Sequence, residues 1–166
     1  MARRWLALAA LGSTLILGHE AGHARPGGLS GGDLGLGLMV GEPTGVSGQF
    51  NVSGPALGIA KLGTALNAAV GLDLLDDGDL YVHLDYILLV DNLVSGGSVN
   101  LPFYVGLGGF VVAKDNAKAG ARVPFGLQLD FKSAPVHLFA EIVLRLKLID
   151  DVDVGVAGAL GFRYFF

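Results

Sequence analysis

From residue 33 onward the chain alternates between apolar and mixed positions with a period of two, and it does so eight times. DLGLGLMVG (33–41) sets Leu34, Leu36, Leu38 and Val40 against Gly35, Gly37 and Met39. The same alternation runs through 46–53, 62–74, 80–90, 101–112, 121–131, 136–148 and 152–166. A repeat of two residues puts alternate side chains on opposite faces of an extended strand, so the pattern predicts eight strands. Turn-forming stretches separate several of them: EPTG (42–45), DDGD (76–79), KDNAKAG (114–120), SAP (133–135) and Asp150-Asp151. No helical period and no linker interrupts the series, which predicts one all-β domain over 33–166, preceded by a short Gly-rich leader at 25–32.

An alternating strand has two solutions. In a soluble sandwich or ligand-binding barrel the apolar set forms the core and the mixed set meets water. In a membrane barrel the apolar set faces lipid and the mixed set fills the interior. Composition separates them. The chain is 52% hydrophobic and only 16% charged, and 27 of its 166 residues are glycine. Much of that glycine lies on the mixed faces, where a solvated sheet would carry Thr, Lys and Glu. Small residues there suit the interior of an eight-stranded barrel, which is just wide enough for side chains to fill. The large mixed-face residues are polar or charged: Asp73, His83, Asp85, Arg122, Gln128, Asp130, His137, Glu141, Arg145, Lys147, Asp153 and Arg163. Five acids against four bases nearly cancel, as a self-paired interior network should. Hairpin pairing is expected to set Gly37 opposite Gln49, Gly35 opposite Asn51, His83 opposite Gly71, Asp85 opposite Ala69, Lys147 opposite Asp153 and Glu141 opposite Ala159.

The N-terminus has the three parts of a secretory signal at 1–24: Arg3 and Arg4, the apolar run WLALAALGSTLILG, and small residues in Gly22-His23-Ala24. Cleavage after Ala24 is expected. HEAGH (19–23) matches the zinc-protease pattern H-E-x-x-H, but it falls at this cleavage region, where an extended chain is needed rather than a helix presenting both histidines. No cofactor or metal centre is expected. The absence of cysteine excludes disulfides and thiolate metal sites, and a net charge of −4 without basic clusters speaks against nucleic acid.

At its end the sequence reads GFRYFF, with Leu160, Phe162, Tyr164 and Phe166 on one face. Here the chain resembles the small bacterial outer-membrane β-barrels, whose last strand alternates apolar residues and finishes in Phe. The resemblance implies an eight-stranded antiparallel up-and-down transmembrane β-barrel in the bacterial outer membrane. Its partners would be membrane lipids and, during biogenesis, the barrel-assembly machinery that reads those four residues. The compact connections depart from the long outer loops common in that family and leave little surface for an adhesin. The function expected is a structural or interaction role in the envelope. A narrow-pore channel or transporter is an alternative suggested by the interior charges, and a secreted soluble β-sandwich or ligand-binding barrel is another.

Some barrels of that kind hydrolyse lipids with a Ser and a His near the outer rim. Neither His83 nor His137 has a serine two residues away, and no spacing proposes a triad. The acidic turn 76–79 lacks the length and the terminal Glu of a calcium loop, although divalent cations could bridge it to surface lipids. Asn51-Val52-Ser53 has the form of a glycosylation sequon but lies in a strand.

Overall fold

The structure, a computed structural model, describes residues 31–52, 62–74, 78–113, 117–149 and 152–166. The proposed signal segment, HEAGH, residues 25–30 of the leader, Asp76, Asp77, Asp150 and Asp151 lie outside them.

Eight strands, each antiparallel to its neighbours, follow one another around a closed barrel in chain order. They are β1 (Leu34–Gly41), β2 (Thr44–Val52), β3 (Gly63–Asp73), β4 (Asp79–Ser95), β5 (Val99–Ala113), β6 (Lys118–Phe131), β7 (Val136–Lys147) and β8 (Asp153–Phe165). Pairing of β1 with β8, Gly35 opposite Phe165 through Gly41 opposite Ala159, closes the ring. Following partners around the wall from Gly35 leads through Gln49, Asn67, Asp85, Gly108, Arg122 and Arg145 to Gly155. The β1–β8 register then sets Gly155 level with position 45, so the circuit from 35 to 45 closes with a stagger of ten residues. Eight strands with that stagger tilt by ~41° and enclose a backbone cylinder of ~8 Å radius, for strand spacings of ~4.8 Å and rises of ~3.3 Å per residue.

Alternation produces the two predicted faces. Leu36, Leu38, Val40, Val70, Leu84, Leu107, Ile142, Val154 and Leu160 are among the large apolar residues that point outward and stay exposed. Asn67, Asp85, Arg122, Gln128, His137 and Arg163 point inward and are buried. Outward aromatics gather toward the end bearing the strand termini Leu34 and Phe165: Phe50, Phe162, Tyr164 and Phe166, with Tyr164 and Phe166 in edge contact at 5.1 Å. The outer wall at the opposite end is aliphatic, with Leu72, Leu74, Leu80, Val152 and Val154.

Two registers differ from expectation by two residues. Gly37 faces Ser47 and Gly35 faces Gln49, while His83 faces Ala69 and Asp85 faces Asn67. The first hairpin is tighter than EPTG implied. Gly41, at φ 130°, donates its N–H to Thr44 Oγ1 (3.1 Å), and that hydroxyl donates back to Gly41 O (3.0 Å), so β2 begins at Thr44. A shift of two preserves the faces, because only an odd slip exchanges them. The expected partners Lys147–Asp153 and Glu141–Ala159 do face each other.

β4 and β5 run further than their alternation suggested. Their ladder is broken by register shifts between Leu89 and Asp91 and between Asn92 and Val94. Pro102 sits opposite Asn92 there and brings no N–H to the ladder, and bulges of this kind interrupt strict alternation.

Candidate functional site: a layered polar interior

The inward-facing polar residues form three clusters stacked along the barrel. Their positions follow from parity and register, since the tilt brings residues of distant strands to the same height.

The central cluster is built around Arg122 on β6. Its Nε lies 3.1 Å from Asp85 Oδ1, its Nη2 donates to Glu141 Oε1 at 2.9 Å, and its Nη1 donates to Tyr81 Oη at 3.2 Å. Tyr104 Oη donates to the other carboxylate oxygen of Glu141 at 2.8 Å. A planar guanidinium offers five N–H donors in a fixed fork, which allows one side chain to hold two carboxylates from β4 and β7 and a phenol from β4. Tyr81 in turn stacks parallel to Phe110 at 5.5 Å. His83 Nε2 is 3.7 Å from Asp85 Oδ2, while His83 Nδ1 and both amide atoms of Asn67 are buried without a partner among the described residues.

Toward the end bearing the termini, Arg163 of β8 is the centre. Its Nε and Nη2 donate to Ser47 Oγ (3.0 and 2.7 Å), and its Nη1 donates to Gln49 Oε1 (2.9 Å). Its guanidinium carbon lies 4.0 Å from the centroid of the Phe139 ring. Gln49 and Gln128 are linked at 3.0 Å, and Gln49 donates to Asn51 at 2.9 Å. No carboxylate comes within ion-pair distance of Arg163 among the described residues, so neutral acceptors and an aromatic face hold this buried cation. Arg163 Nη1 is also 3.3 Å from His137 Nε2. A guanidinium has no lone pair to offer, so Nε2 must accept and the ring proton belongs on Nδ1. Nδ1 faces Asp130 Oδ1 at 3.4 Å.

At the opposite end Arg145 bridges Glu42 Oε2 (3.0 Å) and Asp73 Oδ2 (3.2 Å). These residues help line a cup of about 250 Å³, together with Phe110, Val112, Lys118, Lys147, Asp153 and Gly155.

Ten of the twelve residues expected in the interior network therefore lie in these clusters. Lys147 and Asp153 stand at the rim: they face each other across β7 and β8, with Asp153 exposed, and make no ion pair with each other. Leu160, Phe162, Tyr164 and Phe166 all point outward. Ser47, Gln49, Asn51, Asn67, Tyr81 and Tyr104, on the mixed faces of their strands by the same alternation, are buried in the interior as well. Outside that pattern, Glu42, in the EPTG turn, and Asn100, in the bulged region where alternation fails, are also buried.

Ser47, His137 and Asp130 meet in one cluster, yet Arg163 is interposed between the serine hydroxyl and the imidazole. Ser47 thus lacks the direct base contact that activates a nucleophile. Among the described residues no three His, Asp or Glu side chains are grouped to hold a metal ion.

No protein-family model, curated protein or solved structure matches the chain.

Proposed function

We infer that the chain is an integral β-barrel of a bacterial outer membrane, exported by a cleaved signal at 1–24, with a structural or interaction role in the envelope. One observation carries this reading: the exposed outer face of the strand wall is apolar around the ring, and the charged strand residues of the wall point inward or sit at its ends. An 11-residue strand such as β3 tilted by ~41° rises about 25 Å, the height of the apolar band on membrane barrels. At the side-chain surface, ~5 Å outside the backbone cylinder, that band covers on the order of 2,000 Å², against roughly 300–600 Å² for the largest patch on a typical soluble monomer. Water would penalise such a surface heavily, whereas lipid matches it. The lumen is crossed by the Arg122 cluster, which favours a rigid plugged barrel over an open pore. Lipids are the partners of the wall and the barrel-assembly machinery the partner during insertion; divalent cations at the acidic turn 76–79 remain part of the same proposal.

Fractionation of a Gram-negative host expressing the full chain tests it. The protein should remain with outer membranes after an alkaline wash, migrate differently on heated and unheated gels, and begin at Arg25. Recovery from the soluble periplasm overturns the reading.

A substitution on the wall separates lipid from water as its surroundings. Leu107, midway along β5, is 65% exposed. Leu107→Arg should destabilise the barrel in lipid vesicles by about 2–4 kcal/mol. On a water-exposed wall the same change would be near neutral, so equal vesicle stabilities of parent and variant, by denaturant titration, would count against the membrane.

A further inference from the structure

The cup at the barrel end distant from the termini has a composition that neither the wall nor the lower clusters share. Its lining carries three acids, Glu42, Asp73 and Asp153, and three bases, Lys118, Arg145 and Lys147. Asp73 is on β3 and Lys147 on β7, four strands apart in a ring of eight, so they stand on opposite walls of the lumen. Arg145 reaches across and takes Asp73 Oδ2, but Asp73 Oδ1 has no hydrogen-bond partner among the described residues, although the residue is only 2% exposed. A buried carboxylate oxygen left without a donor carries a desolvation penalty that a bound ammonium would relieve. Opposite it, Lys147 makes no ion pair among the described residues, even with its cross-strand neighbour Asp153. Phe110 and Val112, both buried, form an apolar wall between the two charged sides, and Phe110 rests on the Tyr81 ring below.

We propose that this cup binds a small zwitterion. The ligand's ammonium would seat against Asp73, its carboxylate against Lys147, and a short alkyl group against Phe110 and Val112. Size sets the class: about 250 Å³ is the space of roughly eight waters and falls below the roughly 300–1,000 Å³ of drug-sized pockets, which suits a free amino acid. Charge sets the rest. A simple cation leaves Lys147 unanswered, and a simple anion leaves Asp73 unanswered. The assignment is independent of the phase that surrounds the barrel wall, so it stands or falls separately from membrane insertion.

The test uses the full chain folded in detergent micelles and three isosteric probes: L-leucine, isoamylamine and 4-methylpentanoate. Leucine should give saturable shifts at the backbone amides of Val112 and Gly155, with either singly charged probe at least about tenfold weaker. Lys147→Gln should weaken leucine by about tenfold and leave isoamylamine unchanged, because it removes only the carboxylate partner. Asp73→Asn should weaken both leucine and isoamylamine; should that variant not fold, Lys147→Gln alone decides. No saturable leucine response up to tens of millimolar, isoamylamine binding as tightly as leucine, or unaltered leucine binding by Lys147→Gln each overturns the proposal.

Discussion

Replacing Arg122 with methionine is expected to destabilise the folded barrel by about 3–5 kcal/mol. Methionine keeps much of the stem volume, so the effect isolates the guanidinium rather than a cavity. Without it the Asp85 and Glu141 carboxylates, both buried and both within 3.1 Å of Arg122 nitrogens, face each other with no cation between them. The loss of one partner from a buried ion cluster is severe because the remaining charges are neither solvated nor paired. Adding Asp85→Asn and Glu141→Gln to Arg122→Met removes the unpaired charges and should recover about half of the lost stability. Arg122→Lys should fall between, since a single ammonium cannot satisfy two carboxylates and a phenol with the geometry of the fork. Urea titrations followed by gel mobility without heating give all four values. A parent-like Arg122→Met midpoint would show that the cluster is not holding the barrel together.

The architecture was legible because period-two alternation is insensitive to small errors. Eight segments, their order and the inward or outward sense of each residue survive any even slip in pairing. For that reason Asp85, Arg122, Glu141, His137 and Arg163 could be assigned inward before their partners were known. The partners themselves were not legible. Which residues meet across the lumen depends on the ten-residue stagger, and the stagger accumulates over eight registers, two of which stand two residues from expectation. Thr44 closing its hydrogen bonds on Gly41 is a local event that no hydrophobic pattern encodes. Glu42 illustrates the same gap. A carboxylate in a turn reads as solvated, and only the Arg145 guanidinium, more than a hundred residues later in the chain, gives it a buried partner.

The abundance of inward glycine also acquires a more specific cause than a narrow lumen. Gly35 and Gly37 do face polar residues on β2, Gln49 and Ser47. In addition, three inward glycines lie beneath aromatic rings of directly opposed neighbours: Gly35 under Phe165, Gly126 under Tyr104, and Gly161 under Phe139. Each ring fills the volume that a side chain on the glycine would need. The rings then support the polar clusters. Phe139 carries the Arg163 guanidinium, Phe165 meets His137 edge-on at 4.8 Å, and Tyr104 holds Glu141. Glycine on one strand thus sets the position of a charged contact on another.

Gly126→Val should accordingly cost about 3–5 kcal/mol of barrel stability. A Cβ at Gly126 would collide with Cζ and Oη of Tyr104, which is fully buried. Overpacking accounts for about 1–3 kcal/mol, and separation of the phenol from the ionised Glu141 for about 1.5–3. The clash can be distinguished from a loss of strand flexibility by removing the ring. Tyr104→Ala is destabilising alone, through the hole it leaves and the Glu141 bond it breaks. The double variant Gly126→Val/Tyr104→Ala should nevertheless be more stable than the two single losses combined, by about 1–2 kcal/mol, because the new side chain occupies the vacated space. Gly155 provides the comparison: nothing lies within 4 Å of a Cβ there, and Gly155→Ala should change stability by no more than about 0.5 kcal/mol. Strictly additive losses at positions 104 and 126 would assign the cost of the glycine substitution to the backbone rather than to the Tyr104 ring.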